Sequence, residues 1–265
     1  MDEHSLGQKL AAEFIGTGLL VFIGAGSVPA MILLSSEASP FSGAEVGMVA
    51  LAFGLIVTAM VYTVGKVSGC HINPAVTFAL AATKRFPWRE APGYWAAQVA
   101  GGVAGGLAIW ASFGGRVFDF GAGFGVVDFN NAVTSWGSAM FVEGLATGIL
   151  MFTILGIVDT RSPEGWAGLV IGLVVVAIII TVGPLTNASI NPARALGPLL
   201  VSDLNGSFHN WTEQLLAYIP ANLGGAALAA LAYDWVAKPR IIQRPIREAV
   251  TEPDRADVYE TPAHV

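Results

Sequence analysis

The stretch Ser68-Gly69-Cys70-His71-Ile72-Asn73-Pro74-Ala75 recurs 118 residues later as Thr186-Asn187-Ala188-Ser189-Ile190-Asn191-Pro192-Ala193. Each copy passes from small and polar residues through Asn-Pro-Ala into a short apolar run. Proline suits the first position of a helix, and asparagine suits the N-cap before it. The pattern predicts two short helices that begin at Pro74 and Pro192, each of about ten residues and about 15 Å, or half a membrane.

The repeat extends well beyond these two stretches. Further matching pairs occur in three regions of the chain: Thr63-Val64-Gly65 with Thr181-Val182-Gly183; Glu13 and Thr17 with Glu143 and Thr147; and Tyr94, Gln98 and Gly101 with Tyr218, Asn222 and Gly225. The chain therefore reads as two copies of one unit, over about residues 8–112 and 135–237.

The composition indicates a membrane protein. Hydrophobic residues make up 54% of the chain and charged residues only 12%, against about 25% charged in soluble domains. Six stretches reach the length of about 20 apolar residues that crosses a bilayer. The predicted spans are Gln8 to Leu34, Val46 to Gly65, Pro92 to Ser112, Ser135 to Val158, Trp166 to Gly183, and Thr212 to Ala237.

Three spans in each copy is an odd number, so the second copy enters the membrane from the opposite side. The two short helices then dip in from opposite faces and meet near the midplane with their N-termini facing each other. The predicted fold is an all-α membrane protein with six transmembrane helices, two re-entrant half-helices and an inverted three-helix repeat.

Basic residues predict the orientation, because they concentrate in cytoplasmic connections. Lysines and arginines lie before span 1, between spans 2 and 3, between spans 4 and 5, and after span 6, whereas Arg116 stands on the other side. Both termini are expected in the cytoplasm and the protein in the plasma membrane. We divide the chain into a channel domain, residues 1–237, and a polar cytoplasmic tail, residues 238–265.

The predicted meeting point carries its own chemistry. The N-terminus of each half-helix bears about half a positive charge, so two such ends repel cations and protons. The amides of Asn73 and Asn191 keep donors for a passing oxygen. A water held by both donors must accept from both, which interrupts proton transfer along a file of waters.

The two Asn-Pro-Ala stretches, Arg194 after the second, and Ala12-Glu13-Phe14-Ile15-Gly16-Thr17 in span 1 resemble the aquaporins, also called major intrinsic proteins. The resemblance covers about residues 8–237. It implies a passive channel for water, with glycerol and other small neutral solutes left open, and a homotetramer without cofactor. A midplane barrier of half-helix dipoles and an arginine is the known device of such pores.

The resemblance also implies a narrow filter of four residues, which falls on Phe53, Ile179, Ala188 and Arg194. Strictly water-selective members carry histidine at the position of Ile179, and glycerol facilitators carry a second aromatic at that of Ala188. Here both positions differ from those patterns, and the filter is similar to that of archaeal members. Water is the first expected permeant.

The resemblance assigns the remaining conducting surface to backbone carbonyls. The predicted carbonyl residues are Gly69, Cys70, His71, Ile72, Asn187 and Ser189. They adjoin the two Asn-Pro-Ala motifs, which are Asn73, Pro74 and Ala75 in the first copy and Asn191, Pro192 and Ala193 in the second. Irregular backbone at membrane depth is tolerated where it lines a cavity.

Three kinds of buried polar residue leave alternatives open. Glu13 and Glu143 are expected to accept hydrogen bonds from the re-entrant backbone, with a proton relay as the alternative. His71 is expected to bond within its loop, with a pH gate or metal ligand as the alternative. Cys70 faces either the pore or a packed interior. We assign no role to the connection from Gly114 to Asn131.

The competing function is a secondary transporter, which also uses inverted repeats and broken helices. A coupled carrier needs an ionisable residue at the midplane, where this sequence places two asparagines. No arrangement of nucleophile, paired acid or metal ligands predicts an enzyme or a metal site, and no basic patch predicts nucleic-acid binding. The expected partners are water, small neutral solutes and the lipid bilayer.

Overall fold

The computed structural model describes residues 4–34, 42–114, 124–129, 131–206 and 211–238. Regular structure in these residues is entirely helical. Six helices are long and apolar enough to cross a membrane. In chain order the eight helices of the described residues are α1 (Leu6–Leu34), α2 (Gly43–Ser68), α3 (Pro74–Ala82), α4 (Ala91–Phe113), α5 (Trp136–Val158), α6 (Ala167–Thr186), α7 (Pro192–Leu204) and α8 (Trp211–Ala237).

All six predicted spans are present, but two of them end later than the sequence predicts. The predicted ends at Gly65 and Gly183 move to Ser68 and Thr186. The last carbonyls of a helix lack intrahelical partners. Here the Ser68 carbonyl accepts a hydrogen bond from the Tyr94 hydroxyl, and the Thr186 carbonyl accepts one from the Tyr218 hydroxyl, each at 2.9 Å. These two contacts stabilise the additional turn.

The spans pack as the repeat requires. Helix α1 packs against α4 within the first copy, and α5 packs against α8 within the second. The middle spans α2 and α6 pack on each other and so join the two copies. A Cβ added at Gly54 of α2 would lie 2.6 Å from the Gly172 carbonyl oxygen of α6. Small residues allow this close backbone contact, as in other helix pairs in membranes.

The short helices α3 and α7 each pack against the third span of the other copy: α3 against α8, and α7 against α4. Their N-termini face each other across the middle of the molecule, since Asn73 and Asn191 contact the loop that precedes the opposite helix. Helix α7 has 13 residues, which is longer than predicted. Pro198 lies inside it and does not end it.

Two of the long helices contain one π-helical turn each. The turn in α1 spans Val21–Ala25, and the turn in α8 spans Gln214–Tyr218. Such turns insert one residue into an α-helix and occur frequently at functional sites. Neither turn is predictable from the hydrophobic pattern.

Candidate pore and filter

The loops that precede α3 and α7 share an unusual backbone. In the first loop Gly69, Cys70 and Ile72 have φ between 41° and 85°. In the second, the residues at the equivalent positions, Asn187, Ala188 and Ile190, also have positive φ. Isoleucine is rarely left-handed because of its branched Cβ. Such a backbone persists only where its surroundings hold it.

In the first loop, Glu13 of α1 supplies that support. Its side chain is fully buried. One carboxylate oxygen accepts from the His71 amide at 2.9 Å and the Ser68 hydroxyl at 2.7 Å. The other accepts from the Ile72 amide at 2.6 Å and the Gln98 side chain at 2.7 Å. Four donors therefore surround the carboxylate.

Glu143 of α5 supports the second loop in the same way. It accepts from the Ser189 and Ile190 amides, both at 2.9 Å, and from the Thr186 hydroxyl at 2.6 Å. In the amide orientation that satisfies both its nitrogen and its oxygen, Asn222 also donates to Glu143, at 3.1 Å. Neither glutamate lines the cavity described below. This geometry favours structural acceptors over a proton relay.

Asn73 and Asn191 cap the two short helices and also join them. Their Oδ1 atoms accept from the backbone amides of Ala75 and Ala193. Their Nδ2 atoms cross the interface: Asn73 donates to the Ile190 carbonyl and Asn191 to the Ile72 carbonyl, both at 2.8 Å. An amide nitrogen carries two hydrogens. One hydrogen on each asparagine therefore remains for a permeating oxygen.

One cavity of about 280 Å³ contains both asparagines. It extends from Val158 and Ala167 at one end to Phe53 and Arg194 at the other. The remaining lining residues come from the two loops and from helices on the opposite side: Leu20, Val57, Val61, Gly69, Cys70, His71, Ile72, Val76, Leu80, Leu150, Ile154, Ile171, Val175, Ile179, Ala188, Ser189 and Ile190. Loop backbone thus faces an apolar wall.

Of the six residues predicted to supply pore carbonyls, five line this cavity. Asn187 does not: its side-chain amide donates instead to the carbonyl and the carboxylate of Asp128, at 3.1 and 3.0 Å. The family resemblance assigned Asn187 to the pore, and it could not predict this side-chain contact with Asp128.

The four filter residues predicted from the resemblance all line the same cavity. The guanidinium carbon of Arg194 lies 5.0 Å from the centre of the Phe53 ring, within the range of a cation–π contact. Arg194 is 4% exposed, and its Nη1 donates to the Gly125 carbonyl at 2.7 Å. Its Nε has no hydrogen-bond partner among the described residues.

Sequence reasoning missed the segment 124–129, which lies in the connection that received no role. Gly125 accepts from Arg194, and Val127 accepts from the Gln214 side chain at 2.7 Å. This segment falls between the two copies, so the repeat gives it no counterpart. The available signal was indirect: an arginine at membrane depth requires an acceptor. Arg116 and the tail beyond Lys238 lie outside the described residues.

His71 and Cys70 both line the cavity at the first loop. His71 Nδ1 lies 3.1 Å from the Thr77 hydroxyl, and its ring packs against Phe86 and Tyr94. Cys70 is a free thiol, 8% exposed. Within the described residues, no three His, Cys, Asp or Glu side chains form a group that could hold a metal ion.

The sequence matches the profile of a protein family described as Major intrinsic protein, over residues 1–233. It is 37% identical to aquaporin AqpM of Methanothermobacter marburgensis, a match that covers 88% of this chain and 98% of that protein. It is 39% identical to aquaporin Z of Bradyrhizobium diazoefficiens, covering 87% and 94%.

The fold is likewise similar to a solved structure. The X-ray structure of the aquaglyceroporin from Plasmodium falciparum matches with a TM-score of 0.78 and 27% sequence identity, over 89% of this chain and 98% of that one. Both comparisons agree with the family and the fold that the sequence predicts.

Proposed function

The chain belongs to the major intrinsic protein family of passive membrane channels, and from this premise we propose that it conducts water together with glycerol and other small neutral solutes. The observation that carries the proposal is the cavity that holds both helix-capping asparagines and all four filter residues. Ile179 is apolar, so this side of the filter lacks the donor that histidine would supply. A solute with a carbon backbone meets less resistance there.

The same cavity supports the exclusion of ions and protons. Two helix N-termini face it, each with about half a positive charge, and the Arg194 guanidinium lies at one end. Among the described residues that line it, none is Asp, Glu or Lys. A cation that enters would find no compensating carboxylate on this lining. A coupled carrier would lack a carboxylate on this lining to bind a proton or sodium ion, which disfavours the transporter alternative.

The finer assignments are part of the same proposal. The channel domain comprises residues 1–237, with inverted repeats over about 8–112 and 135–237, and residues 238–265 form a cytoplasmic tail. The orientation rests on the basic residues. The plasma membrane and the homotetramer rest on family membership. No catalytic role is proposed.

Stopped-flow light scattering on proteoliposomes tests the proposal. An excess of impermeant osmolyte outside the vesicles should give shrinkage much faster than in empty vesicles, and an inward glycerol gradient should give fast re-swelling. Fast shrinkage with re-swelling as slow as in empty vesicles would restrict the function to water. Glycerol flux that saturates or follows a proton gradient would favour the transporter.

A further inference from the structure

Two glycines that do not line the cavity lie behind the two large filter residues. We propose that Gly24 and Gly125 set the aperture that Phe53 and Arg194 border together with Ile179 and Ala188, and with it the discrimination of glycerol from water. The inference rests on the proposed function, because it takes these residues as the filter. It assigns positioning roles to α1 and to the segment 124–129.

Gly24 lies directly beneath the Phe53 ring. A Cβ built on Gly24 would lie 2.5 Å from Cε1 and 2.8 Å from Cγ of that ring, far closer than carbon atoms pack at their optimal separation of about 3.5 Å. The ring also contacts the Arg194 guanidinium. Any side chain at position 24 therefore displaces the Phe53 ring away from α1, into the cavity that this ring lines. The aperture bordered by the four filter residues would become smaller.

Gly125 holds the other large filter residue, Arg194, because the Gly125 carbonyl accepts a hydrogen bond from Nη1 of Arg194. Its φ is +70°, a conformation that disfavours any side chain. A Cβ there would also lie 2.6 Å from the carbonyl oxygen and 3.0 Å from the Cβ of Ala25. A residue larger than glycine at position 125 must therefore move the segment 124–129 away from Ala25. This movement withdraws the carbonyl of residue 125 from Arg194.

Both π-helical turns contact this arrangement. The turn Val21–Ala25 provides Gly24 beneath Phe53 and Ala25 against Gly125. The turn Gln214–Tyr218 provides Gln214, which donates to the Val127 carbonyl. Asn187 of the second loop donates to Asp128 and fixes the same segment a third time. The π-helical turns of α1 and α8 thus both contact residues that hold Phe53 and Arg194 in place.

The two glycines are predicted to act in opposite directions. Gly24→Ala narrows the aperture and should lower the ratio of glycerol to water permeability. Gly125→Ala frees Arg194 and should raise that ratio. Each change should be roughly fivefold, which corresponds to about 1 kcal/mol in a barrier. Loss of folded protein alone reduces both permeabilities together and leaves their ratio unchanged.

Matched controls are available in the same chain. Gly168 also packs against an aromatic ring, because a Cβ there would lie 2.8 Å from the ring of Tyr62. Neither Gly168 nor Tyr62 lines the cavity. Gly206 has φ +88° with no atom within 4 Å of an added Cβ. Gly168→Ala controls for overpacking against a ring, and Gly206→Ala controls for backbone strain.

The experiment measures water and glycerol permeability by stopped flow for the parent, both variants and both controls, each normalised to incorporated protein. Opposite shifts in the two variants with unchanged controls would support the proposal. Ratios that match the controls, or that move in one direction, would overturn it.

If Gly125→Ala does not fold, Asn187→Ala removes one anchor of the segment without overpacking. It should raise the ratio, and an unchanged ratio would count against the proposal. A parent that conducts no water would overturn the proposed function as well.

Discussion

The two loops that precede α3 and α7, residues 69–73 and 187–191, share a scaffold but differ in chemistry. Both place left-handed residues at equivalent positions, both are held by a buried glutamate, and both end in an asparagine that donates to the opposite loop. Three residues after that asparagine, the two copies differ in charge. Val76 occupies the position in the first copy that Arg194 occupies in the second.

This difference shows how a symmetric scaffold acquires one filter. Repetition supplies two backbone surfaces and two helix N-termini, but Arg194 adds a cation to one of them. Its acceptor, Gly125, comes from the segment between the copies and has no counterpart in the repeat. We therefore expect cation and proton exclusion at the centre to depend on both copies, and the arginine side of the filter to depend on the second copy and the segment 124–129.

The largest expected effect tests the shared scaffold. Glu13→Ala and Glu143→Ala each leave at least three buried donors without an acceptor, at about 1–3 kcal/mol per donor. We expect both variants to lose most folded protein, to similar extents. Detergent gel filtration and thermal unfolding measure the loss. The exposed Glu164→Ala is the control, and a glutamate variant as stable as that control would refute the shared role.

The next effect tests the difference between the loops. Arg194→Ala removes the guanidinium from the filter and should raise the glycerol-to-water ratio by roughly tenfold, or about 1.4 kcal/mol in relative barrier. Val76→Ala is the mirror truncation and should change the ratio far less, because valine donates no hydrogen bond to a solute. Stopped-flow measurements of water and glycerol permeability for both variants test this difference in the ratio. Equal effects would mean that Arg194 gives the second loop no larger part in solute discrimination than the first loop has.

A smaller effect is expected at the apolar filter position. Ile179→His adds a donor and bulk opposite Arg194, so glycerol flux should fall by roughly threefold relative to water, or about 0.7 kcal/mol in barrier terms.

The mirror residue of Ile179 is Val61, which lines the cavity at its other end. Val61→His introduces the same side chain away from the arginine and should leave the solute ratio close to that of the parent. The same light-scattering assay compares the two variants. A ratio lowered equally by both would indicate general narrowing of the pore and would contradict a local filter.

The smallest effect lies outside the loops, at the partly buried carboxylate of Asp159, directly after α5. A hydrogen bond from the Arg161 side chain holds the pKa of Asp159 well below its ordinary value of 3.8. A lowered folded-state pKa contributes stability above the unfolded value, and that stability is lost as pH falls through the folded value. The parent should lose slightly more stability than Asp159→Asn on acidification below about pH 4. Thermal melts across pH measure this difference, and parallel curves would contradict it.

The repeat made most of the scaffold predictable. Asn-Pro-Ala, the paired glutamates and the hydrophobic runs each follow from local physics: capping, acceptor demand and bilayer thickness. These features identify Asn73, Asn191, Glu13 and Glu143 from the sequence alone. The family resemblance added Phe53 and Ile179, which no local rule distinguishes from their neighbours.

The remainder depends on tertiary contacts that leave no periodic signal. The contact of Gly125 with Arg194 joins residues 69 positions apart, across a connection without a motif. The π-helical turn at Val21–Ala25 is hydrophobic like the rest of α1 and is indistinguishable in sequence from ordinary helix. Each asparagine amide was expected to be free for solute, but donation to Ile72 or Ile190 occupies one of its hydrogens.

We propose that the two facing helix ends pass water and stop protons. Osmotic water flux and proton flux can be measured in the same proteoliposomes, the latter with an entrapped pH-sensitive dye under an imposed pH gradient. We expect water flux well above that of empty vesicles, together with proton flux equal to theirs. Proton flux that rises with the amount of incorporated protein would contradict it.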